Sequence, residues 1–253
     1  MRKPRSLFAG RNLASVLPAV VVLSLSIAVS APAATLLSDN FNGTSIDTTT
    51  WTVNVITGPQ GQFTENSGLN YQGLTGPEDE NLVSNMTFSG GVQGTIQFSG
   101  FTSSTGVPSG YMGYTSGLVF GMGSSSTNDV IIGLSNSYIV SGRFDSSGST
   151  PVQLENQVLV PTTAASGQFS FLYDGSSVFT YYDVGGGLQQ IGTFNPGWSG
   201  PQSIFITGID SPNGTTEFTV ENVTVSEVPL PSALLLLGAG LVGLVTVRRR
   251  VGR

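Results

Sequence analysis

Between residues 34 and 227 no apolar pattern keeps a 3.6-residue period for three turns. Short runs rich in Val, Ile, Phe, Tyr and Thr alternate there with clusters of Gly, Ser, Asn and Pro. Side chains on an extended strand alternate between two faces, and such clusters are where chains turn, so this pattern specifies many short antiparallel strands. The spacing predicts strands at 51–55, 81–88, 92–98, 117–122, 130–134, 138–144, 152–160, 167–173, 178–183, 188–194, 202–209 and 217–226. That number of strands at that spacing reads as an all-β antiparallel sandwich or barrel. Asp174-Gly175 lies between two strand runs and predicts a type I′ hairpin that puts Phe171 opposite Val178 and Tyr173 opposite Ser176. In the last run, Phe218 and Val220 sit on one parity and Val223 and Val225 on the other. A one-residue bulge near Glu221-Asn222 would return all four to one face.

Charge divides the chain differently. Of nine Lys and Arg, four precede residue 12 and four follow residue 247, leaving Arg143 alone between them. All fifteen acids lie from Asp39 to Glu227, so one cation against fifteen acids leaves that stretch at −14. It contains no Lys, His or Cys. This excludes Ser-His-Asp and Cys-His nucleophile systems, Schiff-base chemistry and Cys/His zinc sites. A polyanionic surface also repels nucleic acid.

The ends read as addresses. A basic stretch, Met1 to Arg11, precedes an apolar run from Leu13 to Val29, followed by Ala31-Pro32-Ala33. That order is a secretory signal peptide, residues 1–33, cut after Ala33 by signal peptidase. At the other end, Val228-Pro229-Leu230-Pro231 stops regular structure because proline lacks an N–H and fixes φ. An apolar stretch from Ser232 to Val247 follows, then Arg248, Arg249 and Arg250. With the proline motif included it reaches the roughly 20 residues of a transmembrane helix. Its arginines would stay cytoplasmic, with the preceding domain outside.

This tripartite tail, 228–253, resembles the sorting signal called PEP-CTERM: a short proline motif, an apolar helix and a terminal Arg cluster. The naming motif is Pro-Glu-Pro; Val-Pro-Leu-Pro stands here, which leaves the subtype of sorting enzyme open. The resemblance implies an exosortase as processing partner in a Gram-negative bacterium. It also implies an inner-membrane intermediate held by the C-terminal helix, and a final place at the cell surface or in an exopolysaccharide matrix. The segment Asp39-Asn-Phe-Asn-Gly-Thr-Ser-Ile-Asp-Thr-Thr-Thr-Trp51 resembles the entry of concanavalin A-like lectin/glucanase domains. This implies a jelly-roll sandwich over 34–227 whose first and last strands pair near its edge. Other exported sandwiches, cupin-like or immunoglobulin-like, remain compatible with the strand count.

Glycosidases of that fold carry Glu-x-Asp-x-x-Glu on one strand, with nucleophile and acid ~5–5.5 Å apart. No Glu-x-Asp occurs in this chain. The one acidic cluster, Glu78-Asp79-Glu80, follows Gly76-Pro77 and is expected in a solvated loop. Adjacent residues of an extended chain also point to opposite faces. No catalytic residue and no resident cofactor are assigned. Calcium, which takes oxygen ligands, is the one metal with eligible residues: Asp79, Asp145, Asp174, Asp183 and Asp210, all in turn-like contexts and none in a recognised loop motif. Sugar binding would use exposed aromatic platforms. Tyr71, Tyr111, Tyr114, Tyr182 and Trp198 flank Gly-rich loops and are the candidate contacts to an extracellular polysaccharide. Three functions are therefore carried forward. They are a non-catalytic structural or interaction protein, a lectin-like module and, least favoured by the residues, a glucanase-type enzyme.

Overall fold

A computed structural model describes residues 33–58, 62–73, 78–104, 117–123, 128–145, 153–210 and 215–228. The leader, the apolar tail with Pro229, Leu230, Pro231 and Arg248 to Arg250, and both Tyr111 and Tyr114 lie outside the described residues. Among the described residues no helix is long and apolar enough to cross a membrane. Ala33–Val228 forms one compact unit.

Fifteen strands are described: β1 (Thr35–Asp39), β2 (Trp51–Thr57), β3 (Phe63–Glu65), β4 (Leu69–Gln72), β5 (Glu78–Phe88), β6 (Val92–Ser103), β7 (Gly117–Gly123), β8 (Asn128–Leu134), β9 (Tyr138–Asp145), β10 (Gln153–Pro161), β11 (Gly167–Tyr173), β12 (Val178–Asp183), β13 (Gln189–Phe194), β14 (Gln202–Asp210) and β15 (Thr216–Glu227). They form two antiparallel sheets. The first runs β13-β12-β11-β6-β15-β4-β3, with β1 also on β15; the second runs β10-β9-β8-β7-β14-β5-β2. On one side of β15, β4 pairs with Glu217 to Val220 and β1 with Val223 to Ser226, while β6 lines the other side. The first and last strands therefore pair, and β1 has no other described strand beside it, so along that half of β15 the pair lies at the sheet's edge.

Every expected strand run is present, and β1, β3 and β4 are additional. The bulge in β15 falls at Glu221: Val220 faces Phe98 and Asn222 faces Gln97. Phe218, Val220, Val223 and Val225 are consequently all buried. The β11–β12 hairpin differs from expectation. Tyr173 pairs with Val178 and Phe171 with Thr180, so the loop has four residues, Asp174 to Ser177. The cause is the Asp174 carboxylate, whose Oδ1 accepts the backbone N–H groups of Ser176 and Ser177 at 2.8 Å each. This Asx-type turn outcompetes the two-residue turn.

Aromatic residues fill the space between the sheets. Phe98 and Phe169 have ring centroids 4.7 Å apart, and Phe120 of the second sheet meets Phe171 of the first at 5.2 Å. Tyr71 stacks on Phe218 at 5.1 Å. Glycines admit these rings: a Cβ on Gly208 would lie 2.2 Å from the Tyr71 ring, and one on Gly94 2.3 Å from Phe171.

The entry segment folds on itself. Asp39 accepts the backbone N–H of Phe41 at 2.8 Å through Oδ1 and the indole N–H of Trp51 at 2.7 Å through Oδ2. Phe41 is buried at φ 48°, its ring 5.9 Å from that of Trp51. A non-glycine residue in this region stores strain of order 1–2 kcal/mol, which the packed ring and paired carboxylate offset. Asp47 ties down the remaining turn by accepting from Thr49 and Thr50. The residues that carry the resemblance are thus structural.

Candidate functional site: the β5 acids and the end of β15

The Glu78-Asp79-Glu80 run does not lie in a loop. It begins β5, an interior strand paired with β14 and β2. Gly76-Pro77 precedes it in the sequence, and two strand neighbours hold the acids in the ladder. Alternation then separates them. Glu80 points between the sheets, fully buried, and its Oε2 accepts the Phe63 N–H at 2.7 Å. Asp79 occupies the opposite, outer face of the second sheet. Burial pushes its carboxyl up from 3.8 to about 6, because desolvation disfavours the charged form.

Around Asp79 the outer face is mixed. Asn81 accepts a hydrogen bond from the Thr207 hydroxyl. Ile209 pairs with Asp79, and Phe205 pairs with Val83. Farther across, Val119, Ile131 and Val140 form a second buried apolar cluster, with Tyr138, Phe205 and Ile209 against it. A carboxyl, an amide and a hydroxyl beside apolar side chains can bind and orient a polar ligand. The two-carboxylate arrangement of a glycosidase is not assembled there among the described residues. Asp129, the other described acid on this face, pairs with Gly123, which faces Ser203; Asp79 faces Ile209. Six residues along a strand separate the two by about 20 Å, against ~5–9.5 Å for catalytic carboxylates.

The sequence-derived contacts scatter. Tyr71 is buried in the core over Gly208, so it presents no ring to solvent. Tyr182 is half-buried against the core, its hydroxyl donating to Gln189 at 2.8 Å. Trp198 is also half-buried: its indole N–H donates to the Asn128 carbonyl at 2.7 Å and its ring meets Tyr173 edge-on at 5.1 Å. Asn128 accepts from Arg143 Nε at 3.0 Å and donates to the Pro196 carbonyl at 2.8 Å. Trp198 thereby pins the β13–β14 connection onto β8. Of the calcium candidates, Asp174 and Asp183 are occupied as turn acceptors, Asp183 holding the N–H groups of Gly185 and Gly187. Asp210 is buried against Gly73. Among the described residues no group of three or more metal-ligating side chains occurs. Sequence reasoning missed the face of Asp79. Its signal was the alternation continuing from Asn81 and Val83 back through Asp79.

The second candidate is the end of β15. Glu227 pairs with Val92, and its N–H donates to the Ala34 carbonyl at 2.8 Å. The Val228 N–H donates to the Gly91 carbonyl at 2.6 Å. Pro229 follows and cannot donate. Residues 227–250 match the model of the PEP-CTERM protein-sorting motif. The tail is a PEP-CTERM sorting signal. Such a signal marks an exported protein and implies an exosortase as its processing partner.

The body is similar in fold to several solved structures. One is a β-1,3-glucanase from Mycobacterium marinum, 12% identical, covering 77% of this chain and 100% of that chain at TM-score 0.55. Another, described as an immunostimulatory antigen and pseudo β-1,3-glucanase of Mycobacterium tuberculosis, is 11% identical, covering 76% and 98% at TM-score 0.52. A third is a legume lectin-like domain from Entamoeba histolytica, 8% identical, covering 71% and 91% at TM-score 0.51. At these identities the likeness shows the fold alone, the concanavalin A-like sandwich shared by glucanases and lectins. No match was found among curated proteins by sequence.

Proposed function

We propose that this protein is exported, cut by signal peptidase after Ala33, sorted by its PEP-CTERM tail and released or attached at the surface of a Gram-negative cell. There its sandwich acts as a non-catalytic structural or interaction unit of the extracellular matrix. The observation that carries this reading is the motif match over 227–250, directly after a folded β body. The −14 body supports it, since such a surface stays soluble and takes up divalent ions among matrix polymers. The non-catalytic part rests on Asp79 standing some 20 Å from the other described acid on its face. Mass spectrometry of the mature protein from native cells tests the sorting. A C-terminus near Val228 to Pro231 is expected, and an intact Arg253 would refute it.

The outer face around Asp79 favours a second reading, polysaccharide binding. A carboxyl near neutral pKa, the Asn81–Thr207 pair and the flanking Phe205 form a chemically suitable patch. A glycan array with residues 34–228, with and without EDTA, tests it. Binding lost in Asp79→Asn and Asn81→Ala supports this reading, and silence under both conditions removes it. Turnover of a β-glucan that Asp79→Asn abolishes would instead make the body an enzyme.

A further inference from the structure

The sorting motif and the folded body overlap. The match begins at Glu227, yet Glu227 and Val228 are both held in the first sheet by N–H donation to Ala34 and Gly91. That stretch of β15 is flanked on both sides, by β1 from Thr35↔Ser226 and by β6 from Glu227↔Val92. Pro229, which has no N–H to donate, comes next in the sequence, so the motif match begins within the described body. Enzymes that cut a peptide chain generally bind it extended, using its backbone N–H and C=O groups. The N–H groups of Glu227 and Val228, already bonded within the fold, are not free to pair with such an enzyme. Of the two flanks β1 is the weaker. It has five residues, Thr-Leu-Leu-Ser-Asp, with a register irregularity between Thr35 and Leu37.

We propose that the sandwich masks the beginning of its own sorting motif, and that opening of the Ala34–Gly91–Glu227–Val228 corner, by release of β1, gates processing by the membrane sorting enzyme. The proposal rests on the tail being a processed sorting signal. It adds that the folded state of one corner sets the rate. The gate retards cleavage of every folded molecule, so tail removal reports on that corner rather than on the tail alone.

The test uses the full-length chain in native cells, with tail removal followed by pulse-chase and mass spectrometry. A flexible Gly-Ser insert of about eight residues between Val228 and Pro229 supplies extended backbone outside the fold. It should speed removal several-fold. The paired variant Thr35→Cys/Ser226→Cys should do the opposite. The two positions are Cα partners, neighbours in such a ladder lie within disulfide range, export favours oxidation and the chain has no other cysteine. The crosslink should slow removal several-fold, and a membrane-permeant reductant should restore it. Equal rates in wild type, insert and crosslinked chain would overturn the gate while leaving the sorting reading intact. An intact Arg253 in the wild-type chain would overturn both.

Discussion

Replacing Asp79 by Asn should stabilise the body at neutral pH and leave it nearly unchanged below pH ~4. The Asp79 carboxyl titrates at about 6 in the folded chain instead of 3.8, because burial on the outer face of the second sheet disfavours its charge. The folded state thus holds this proton more tightly than the unfolded chain. Between pH ~4 and ~6 the unfolded chain carries fewer protons, so stability falls as pH rises across that window. The full rise corresponds to roughly 3 kcal/mol at most. Asn is nearly isosteric with the protonated acid and does not titrate. The assay is urea unfolding of residues 34–228 and of the Asp79→Asn variant from pH 3.5 to 8, reading the difference between them. That difference should grow in favour of the variant between pH ~4 and ~6 and then level off. Asp47 and Asp174 work in the opposite direction. Hydrogen bonds, led by the Thr49 hydroxyl for Asp47 and the Ser177 N–H for Asp174, hold their carboxyls low. Their contribution is lost as pH falls and cancels in the comparison. A difference that stays flat with pH would refute the desolvation of Asp79 and remove its claim to be a ligand-binding group.

Other perturbations test the packing. Asp39→Ala leaves the Trp51 indole N–H, now bonded at 2.7 Å, without its acceptor, and should cost about 2–3 kcal/mol in urea unfolding. Gly208→Ala drives a methyl to 2.2 Å from the Tyr71 ring and should cost about 1–3 kcal/mol or more; Tyr71→Leu in the same chain should recover part of it, a coupling read from a double-mutant cycle. Trp198→Ala removes both the Asn128 hydrogen bond and the Tyr173 ring contact. It should lower stability by about 3 kcal/mol while leaving any glycan binding at the Asp79 face intact, and loss of binding without loss of stability would make the indole a sugar platform after all.

The elements readable in advance were those whose pattern is local. The β15 bulge followed from two apolar parities in one run, and only one extra residue reconciles them. The Asp174 hairpin was readable as a turn but not in its register, because the Asp174 side chain competes for the same N–H groups as the ladder. β1, β3 and β4 were missed for another reason. Phe63-Thr-Glu and Leu69-Asn-Tyr-Gln are too short and polar to show a period, and they form strands because β15 and each other supply partners. Tyr71 looked like a surface aromatic beside a Gly-rich loop. Gly208, 137 positions later in the chain, gives its ring a place inside.

Three properties were decided by the order of residues alone: the exclusion of His, Cys and Lys chemistry from residues 34–227, the gathering of all cations but Arg143 at the two ends, and the division into short strands. These depend on composition and near-neighbour spacing, which need no fold to be expressed. Which face of β5 holds Asp79 and which holds Glu80, and where β15 stops being sheet and starts being signal, were decided by tertiary pairing. A strand's pleat alternates its side chains without naming the inner side, and only the opposing sheet assigns inside and outside.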